Sequence, residues 1–555
     1  LPLRRLLLAP AAALLLGAAP APPTLSPPSP PPLPAGVWQA PQAMADRVRA
    51  DVEFLADDLL EGRASGTRGH EVAALYVATQ FRSIGLQPAG ENGSWYQRVP
   101  FRRATHEGTP QLALVTGGKR ETLTFGSDAA VRPSVTERER KIDAPLVFVG
   151  WGITDARYRF QDYKGLNLKG KIAVAFSGTP KGLPSEVAAH LSQQKDEFAA
   201  AAGAIGLIEI DTSSDSPAGT VRSAMRPRVT DWVDPQGRTG NTATGLRFRA
   251  GVSEATANRM FAGAAQTLAA VRQRAAAGHH PQGFTLRPRF SFQDRMNWEE
   301  FSSPEVIGLL PGSDPKLKPE HVILMGHLDH LGIDKDAKPG EDAIYNGALD
   351  NAAGVATMLE AARSFVRSGK PPRRSVLFIA HTAEELGLLG ASYWASHPTV
   401  PLKQVVAAVD LDMPLPLYEF TDVVAFGADH STVAQAVASA ARTMGLATGP
   451  DPMPEEGIFT RSDHYPLVLK GVPAILMFTG HANGGKPVWD RFFQDAYHQV
   501  DDDLKQPIHW TALARYGELN YRIARTLADQ PQRPLWIRNS YFADIVAPGQ
   551  PRAER

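Results

Sequence analysis

In the second half of this 555-residue chain, a series of apolar runs gives way to short stretches rich in acid and histidine. The stretches are His327-Leu328-Asp329-His330, Asp350-Asn351, Glu384-Glu385, Asp410-Leu411-Asp412 and Tyr497-His498. Residues 322–325, 376–379, 405–409 and 474–478 read as strands, and 354–365 as a helix. This alternation predicts an α/β fold whose mostly parallel central sheet carries helices on both faces. Most of the polar stretches then fall just past a strand, at the carboxyl ends where open α/β sheets build their sites.

The residue types suit a pair of metal ions. His327 and Asp329 are two apart on extended backbone, so both side chains point the same way, one as a ligand and the other as its orienting partner. Asp350 stands at the head of a helix, where an aspartate is an N-cap or, having two carboxylate oxygens, a bridge between two cations. The adjacent carboxylates of Glu384 and Glu385 are costly unless something positive sits beside them. Their side chains diverge, so that one can bind metal while the other faces a substrate. Asp412 closes a buried strand, where an unpaired charge is expensive. His498 precedes Asp501-Asp502-Asp503, any of which could orient it or form a solvated turn.

Composition narrows the chemistry further. Lys plus Arg and Asp plus Glu balance at 58 each, so no global field favours nucleic acid. With no cysteine, thiolate nucleophiles and Cys-bound metal are excluded, which leaves His and carboxylates as ligands. The start of the chain, with Arg4-Arg5, an apolar run to Leu16 and small residues to Ala21, predicts an export signal cleaved near Ala19 or Ala21. That run is too short, and too broken by Pro10, for a membrane anchor, so a periplasmic or extracellular protein is expected. The expected organisation is a signal at 1–21, a Pro-rich linker at 22–36, the first part of a catalytic domain at 37–127, a β-rich insertion at 128–283, the main catalytic part at 284–535 and a tail at 536–555 that frays towards its end.

Several stretches together resemble the co-catalytic zinc aminopeptidase family, which includes secreted bacterial leucyl aminopeptidases and glutamate carboxypeptidases. They are Gly326 to Gly332, Gly347 to Gly354, His381 to Gly390, Asp410 to Met413, Arg461 to Tyr465, and Tyr497-His498. In the insertion, Val147 to Ile153, Leu168 to Ile172 and Ala202 to Gly206 resemble a protease-associated domain. The resemblance implies a zinc-exopeptidase fold holding two Zn²⁺, one on Asp350, Glu385 and His498 and the other on His327, Asp350 and Asp412. It implies Glu384 as general base and Tyr497 as an oxyanion donor, the latter carried over from only part of the family. A cis peptide after Asp350 is a further implication. Asp410 stands where the family often has Asn, and Ala353 where Ser is common; neither is a ligand. Arg461, Asp463 and His464 match a pocket wall in relatives, although Ser462 or Asp463 could equally cap a helix.

The implied substrate is the N-terminus of a peptide or protein. A carboxypeptidase or dipeptidase of the same fold is the alternative, since such a site hydrolyses amides without declaring which terminus it holds. A non-catalytic receptor is a remoter one, because all five ligand positions are intact.

Overall fold

The computed structural model describes residues 31–213 and 219–554. The expected signal and most of the Pro-rich stretch lie outside these residues.

The central sheet is built from β1 (Tyr96–His106), β2 (Phe284–Leu310), β3 (His321–His327), β4 (Ser375–His381), β5 (Val405–Leu411), β6 (Asp422–Phe426) and β7 (Ala474–Thr479). Its spatial order is β1-β2-β4-β3-β5-β7-β6. The four middle strands β4, β3, β5 and β7 are parallel, and the flanking pairs are antiparallel. Every residue of these four strands is buried, as expected when both faces of a parallel sheet are covered. Helices α1 (Gln42–Leu55), α2 (Arg68–Ile84), α3 (Ala353–Arg367) and α4 (Trp510–Asp529) supply much of that cover. On α3, Val355, Met358, Leu359, Ala362 and Phe365 recur at helical spacing and are buried, and each large side chain contributes about 1.5–3 kcal/mol of burial. The carboxyl ends of β3, β4 and β5 are His327, His381 and Leu411, so chain direction alone gathers the expected ligands on one edge.

Strand β2 spans 27 residues and serves two sheets. Residues up to Arg295 pair with the strands Gln111–Thr116 and Glu139–Phe148, and residues from Met296 onward pair with β1 and β4. The second sheet continues through the parallel strands Ile172–Phe176, Gly206–Ile210 and Arg249–Val252. It includes the hairpin at 111–123 and the first part of β2, whereas the composition change placed its edges at 128 and 283. One strand from that region, Val229–Trp232, leaves the second sheet and pairs with β1 of the central one.

Fraying was expected over residues 547–555, where the structure has a paired strand at Arg552–Ala553. Trp536–Ile537 pairs with Arg552–Ala553, and a helix at Tyr541–Val546 buries Phe542 completely. The rings of Phe542, His190, His430, Phe459 and Tyr465 pack together, so apolar burial ties this segment to both sheets. Among the described residues no helix is long and apolar enough to cross a membrane.

Candidate metal centre

Asp350 lies in a one-turn widened segment, Ala348–Ala352, ahead of α3. Its peptide bond to Asn351 is cis, as the resemblance implied. The capping reading belongs to its neighbour: Asn351 Oδ1 accepts from the amides of Gly354 (3.0 Å) and Met413 (3.2 Å), while its Nδ2 donates to the Leu411 carbonyl (3.0 Å). Asn351 thereby ties the head of α3 to the end of β5 and frees the Asp350 carboxylate.

That carboxylate faces two ways. Its Oδ1 is 3.2 Å from His327 Nε2, which is 3.1 Å from Asp412 Oδ1. Its Oδ2 is 3.3 Å from His498 Nε2, which is 3.3 Å from Glu385 Oε2. Ligands at about 2.0–2.1 Å around a tetrahedral zinc are separated by about 3.3 Å, and His327, Asp350 and Asp412 gather at a spacing that could hold an ion; the second such group is His330, Asp350 and Glu385, with His498 3.3 Å from each of its two carboxylates.

Charge points the same way. Four carboxylates, Asp350, Glu384, Glu385 and Asp412, crowd around two imidazoles. Burial, joined by the neighbouring carboxylates, pushes the Glu384 and Asp412 pKa values up and carries Glu385 to about 8. Burial also works against charge on His327 and His498, but Asp412 and Asp350 outweigh it and hold both above the ordinary histidine value. His327 Nδ1 is 3.0 Å from the Asp329 carbonyl, which can only accept, so this nitrogen carries a proton and Nε2 is left facing two carboxylates. Divalent cations would satisfy this arrangement, and the donor set of nitrogen and oxygen suits zinc.

Residues around the ligands fix their orientation. The Asp329 carboxylate was expected to orient His327, but the main-chain carbonyl takes that contact. The carboxylate instead accepts from Ser65 Oγ (3.0 Å) and the Glu384 amide (3.2 Å), and so holds the loop that presents Glu384. His330 Nδ1 is 2.6 Å from Glu385 Oε1, leaving Oε2 toward His498. Asp502 faces away from the role suggested for its cluster: its carboxylate accepts from the amides of Leu349 and Asp350, both at 2.9 Å. Ser462 contacts both Asp410 and Asp412 at 2.8 Å, and His464 binds Asp410 through its amide (3.0 Å). Neither Ser462 nor Asp463 caps the following helix. Tyr497 stacks on the His498 ring at 4.0 Å.

Arg63 carried no sequence signal. Fully buried, its guanidinium donates to the carbonyls of Leu328 (3.0 Å), Asn346 (2.6 Å), Gly347 (3.1 Å) and Leu55. It clamps the loops behind His327 and ahead of Asp350. Burial lowers its pKa to about 10 against the pull of Asp502 and Asp350.

A cavity of about 300 Å³ opens beside these groups. Asp350, Glu384, Asp412 and His498 line one side, and Met413, Met453, Ile458, Phe478 and Phe493 provide apolar walls.

Residues 305–524 match the model of Peptidase family M28. This part of the chain is similar to that family. The M28 segment contains all five expected metal ligands and Glu384. Among curated proteins, the chain is similar to leupeptin-inactivating enzyme 1 of Streptomyces exfoliatus, 28% identical over 45% of this chain and 54% of that protein. It is also similar to aminopeptidase YwaD of Bacillus subtilis, 34% identical over 20% of this chain and 22% of that protein. The matches therefore span about half of the first relative and about a fifth of the second. Among solved structures, an aminopeptidase from Aneurinibacillus sp. strain AM-1 aligns with a TM-score of 0.47 and 20% identity, covering 88% of this chain and 95% of that one. The zinc aminopeptidase BSAP from Bacillus subtilis aligns with a TM-score of 0.41 and 19% identity over 88% and 96% of the two chains.

Proposed function

We propose that this chain is an exported, zinc-dependent aminopeptidase, and that the carboxylate of Asp350, divided between two His-carboxylate pairs, is the observation that carries the reading. His327, Asp350 and Asp412 would hold one zinc, and Asp350, Glu385 and His498 the other. Bound there, the pair supplies Lewis acidity and brings the ionisation of water near neutral pH. Glu384, which lines the cavity next to the ligand Glu385 and has no place in either ligand set, takes the proton from the attacking water and returns it to the leaving amine. Its raised proton affinity, caused by burial and then by Glu385, suits an acceptor that must later donate. The Asp329–Ser65 contact holds the Glu384 backbone in place. Tyr497, at the cavity wall beside His498, is placed to donate to the developing oxyanion.

The cavity's chemistry favours an amino terminus over a carboxyl terminus. Among its described lining residues Arg461 is the one arginine, and it is engaged by Glu456 at 3.3 Å. Asp350, Glu384 and Asp412 form an acidic surround that would accept a substrate ammonium beside an apolar side-chain pocket, whereas Asp490 is taken by Lys486 at 2.7 Å. Hydrolysis of a peptide panel tests this. Acetylating the N-terminus should remove most of kcat/KM, amidating the C-terminus should change little, and a chelator should abolish turnover until zinc is returned. Loss of cleavage on C-terminal amidation alone would make the enzyme a carboxypeptidase.

A further inference from the structure

On the far side of the Glu384–Glu385 loop from the apolar cavity lie two further cavities, of about 460 and 490 Å³. They share Glu385, Leu386, Arg226 and Arg228 as walls, so they adjoin each other and the metal centre. The first also gathers Arg132 and Arg249 from the second sheet. Arg249 is ion-paired with Glu209 at 2.8 Å and Asp196 at 3.4 Å, although its Nε has no hydrogen-bond partner. Arg132, Arg226 and Arg228, by contrast, form no ion pair among the described residues. The Nε of Arg132 is buried without a hydrogen-bond partner. Burial, then repulsion from Arg249 and Arg226, lowers the Arg132 pKa to about 10, so its cationic form is held at a cost that an anion would relieve. Arg226 and Arg228 precede the strand Val229–Trp232, whose pairing with β1 carries them from the second sheet to the rim of the centre.

Resting on the aminopeptidase reading, we infer that this arginine-lined cleft receives acidic side chains on the leaving side of the substrate. The first residue of the peptide would occupy the apolar cavity and the scissile bond would lie at the metal ligands. The chain beyond it would then pass Glu385 and Leu386 into the cleft. Asp196 and Glu209 act on Arg132 at longer range, and Asp196, Asp231 and Glu385 share the first cavity's walls, but among the described residues none of them forms an ion pair with the three arginines, so aspartate or glutamate in the substrate completes them.

The test compares Leu-Ala-Asp-Asp-amide with Leu-Ala-Ala-Ala-amide on the zinc-loaded full chain, both blocked at the C-terminus so that no terminal carboxylate contributes. The wild type should favour the acidic peptide by roughly tenfold in kcat/KM, mainly through KM, with the preference shrinking as salt rises. In the double variant Arg226→Gln/Arg228→Gln, both positions being exposed, the ratio should fall to about 1; Arg132→Gln should lower it independently. Equal rates on the two peptides in the wild type, or a preference that survives the double variant, overturns the inference. Leucine para-nitroanilide, which cannot reach the cleft, separates the two claims. If the wild type cleaves it while treating the peptides alike, only the cleft assignment falls; if it does not cleave it, the aminopeptidase reading falls and takes the cleft with it.

Discussion

Asp502 offers the sharpest test of how the bridging carboxylate is held. Its two oxygens accept from the amides of Leu349 and Asp350, both at 2.9 Å, at a site with no exposed surface. Asp502→Ala strands two buried donors, each costing about 1–3 kcal/mol, so the fold should lose roughly 2–6 kcal/mol. Asp502→Asn keeps one acceptor oxygen and should lose about half as much. Because the same amides lead into Asp350, the loosened backbone should also weaken metal binding, by about 10–100-fold if it behaves as outer-shell partners do elsewhere. Urea denaturation gives the first quantity and zinc competition against a chromophoric chelator the second. Asp501→Ala is the control, because that side chain is exposed and makes no contact with the Asp350 loop. If Asp502→Ala matches wild-type zinc affinity and loses under about 1 kcal/mol, the bridging aspartate does not depend on this clamp and the reasoning fails.

Other predictions follow from the same geometry. Glu384→Gln should retain zinc and lose turnover by about 10²–10⁴-fold, whereas Asp350→Ala should lose both, as read by metal content beside kinetics; equal metal loss in the two would reverse the roles. His190 is buried between the sheets with Nδ1 at 2.5 Å from the Tyr465 hydroxyl, and burial depresses its pKa to about 4. Its neutral form therefore contributes stability that is complete above pH 6.5 and is lost as pH falls from there towards 4, up to about 3 kcal/mol; denaturation midpoints at the two ends should converge in His190→Gln. Phe542→Ala should cost about 3–5 kcal/mol, the value for emptying a buried aromatic site, and a cost near zero would mean that this helix is not docked on the fold.

The strands and the candidate ligands were legible because both are local signals. A buried parallel strand shows as an unbroken apolar run, and the residue that ends it lies beside that run in sequence, as with His327 at the end of β3 and Asp412 just after β5. The sequence therefore determined the parallel centre of the sheet and the chemical types gathered at its carboxyl edge. Tertiary structure decided how those groups are held. Arg63 meets the Leu328 carbonyl across 265 positions, and Ser65 meets Asp329 across 264. Asp502 acts through main-chain amides, so nothing in its own triplet distinguished it from a solvated turn. His330 was visible beside His327, yet its contact with Glu385 exists only because β3 and β4 lie side by side. The division between the two sheets was hidden for a similar reason: β2 has one continuous β pattern, and only its pairing partners reveal where one sheet ends and the next begins. Local periodicity records which face of a segment is buried, but the identity of what buries it is a property of the folded chain.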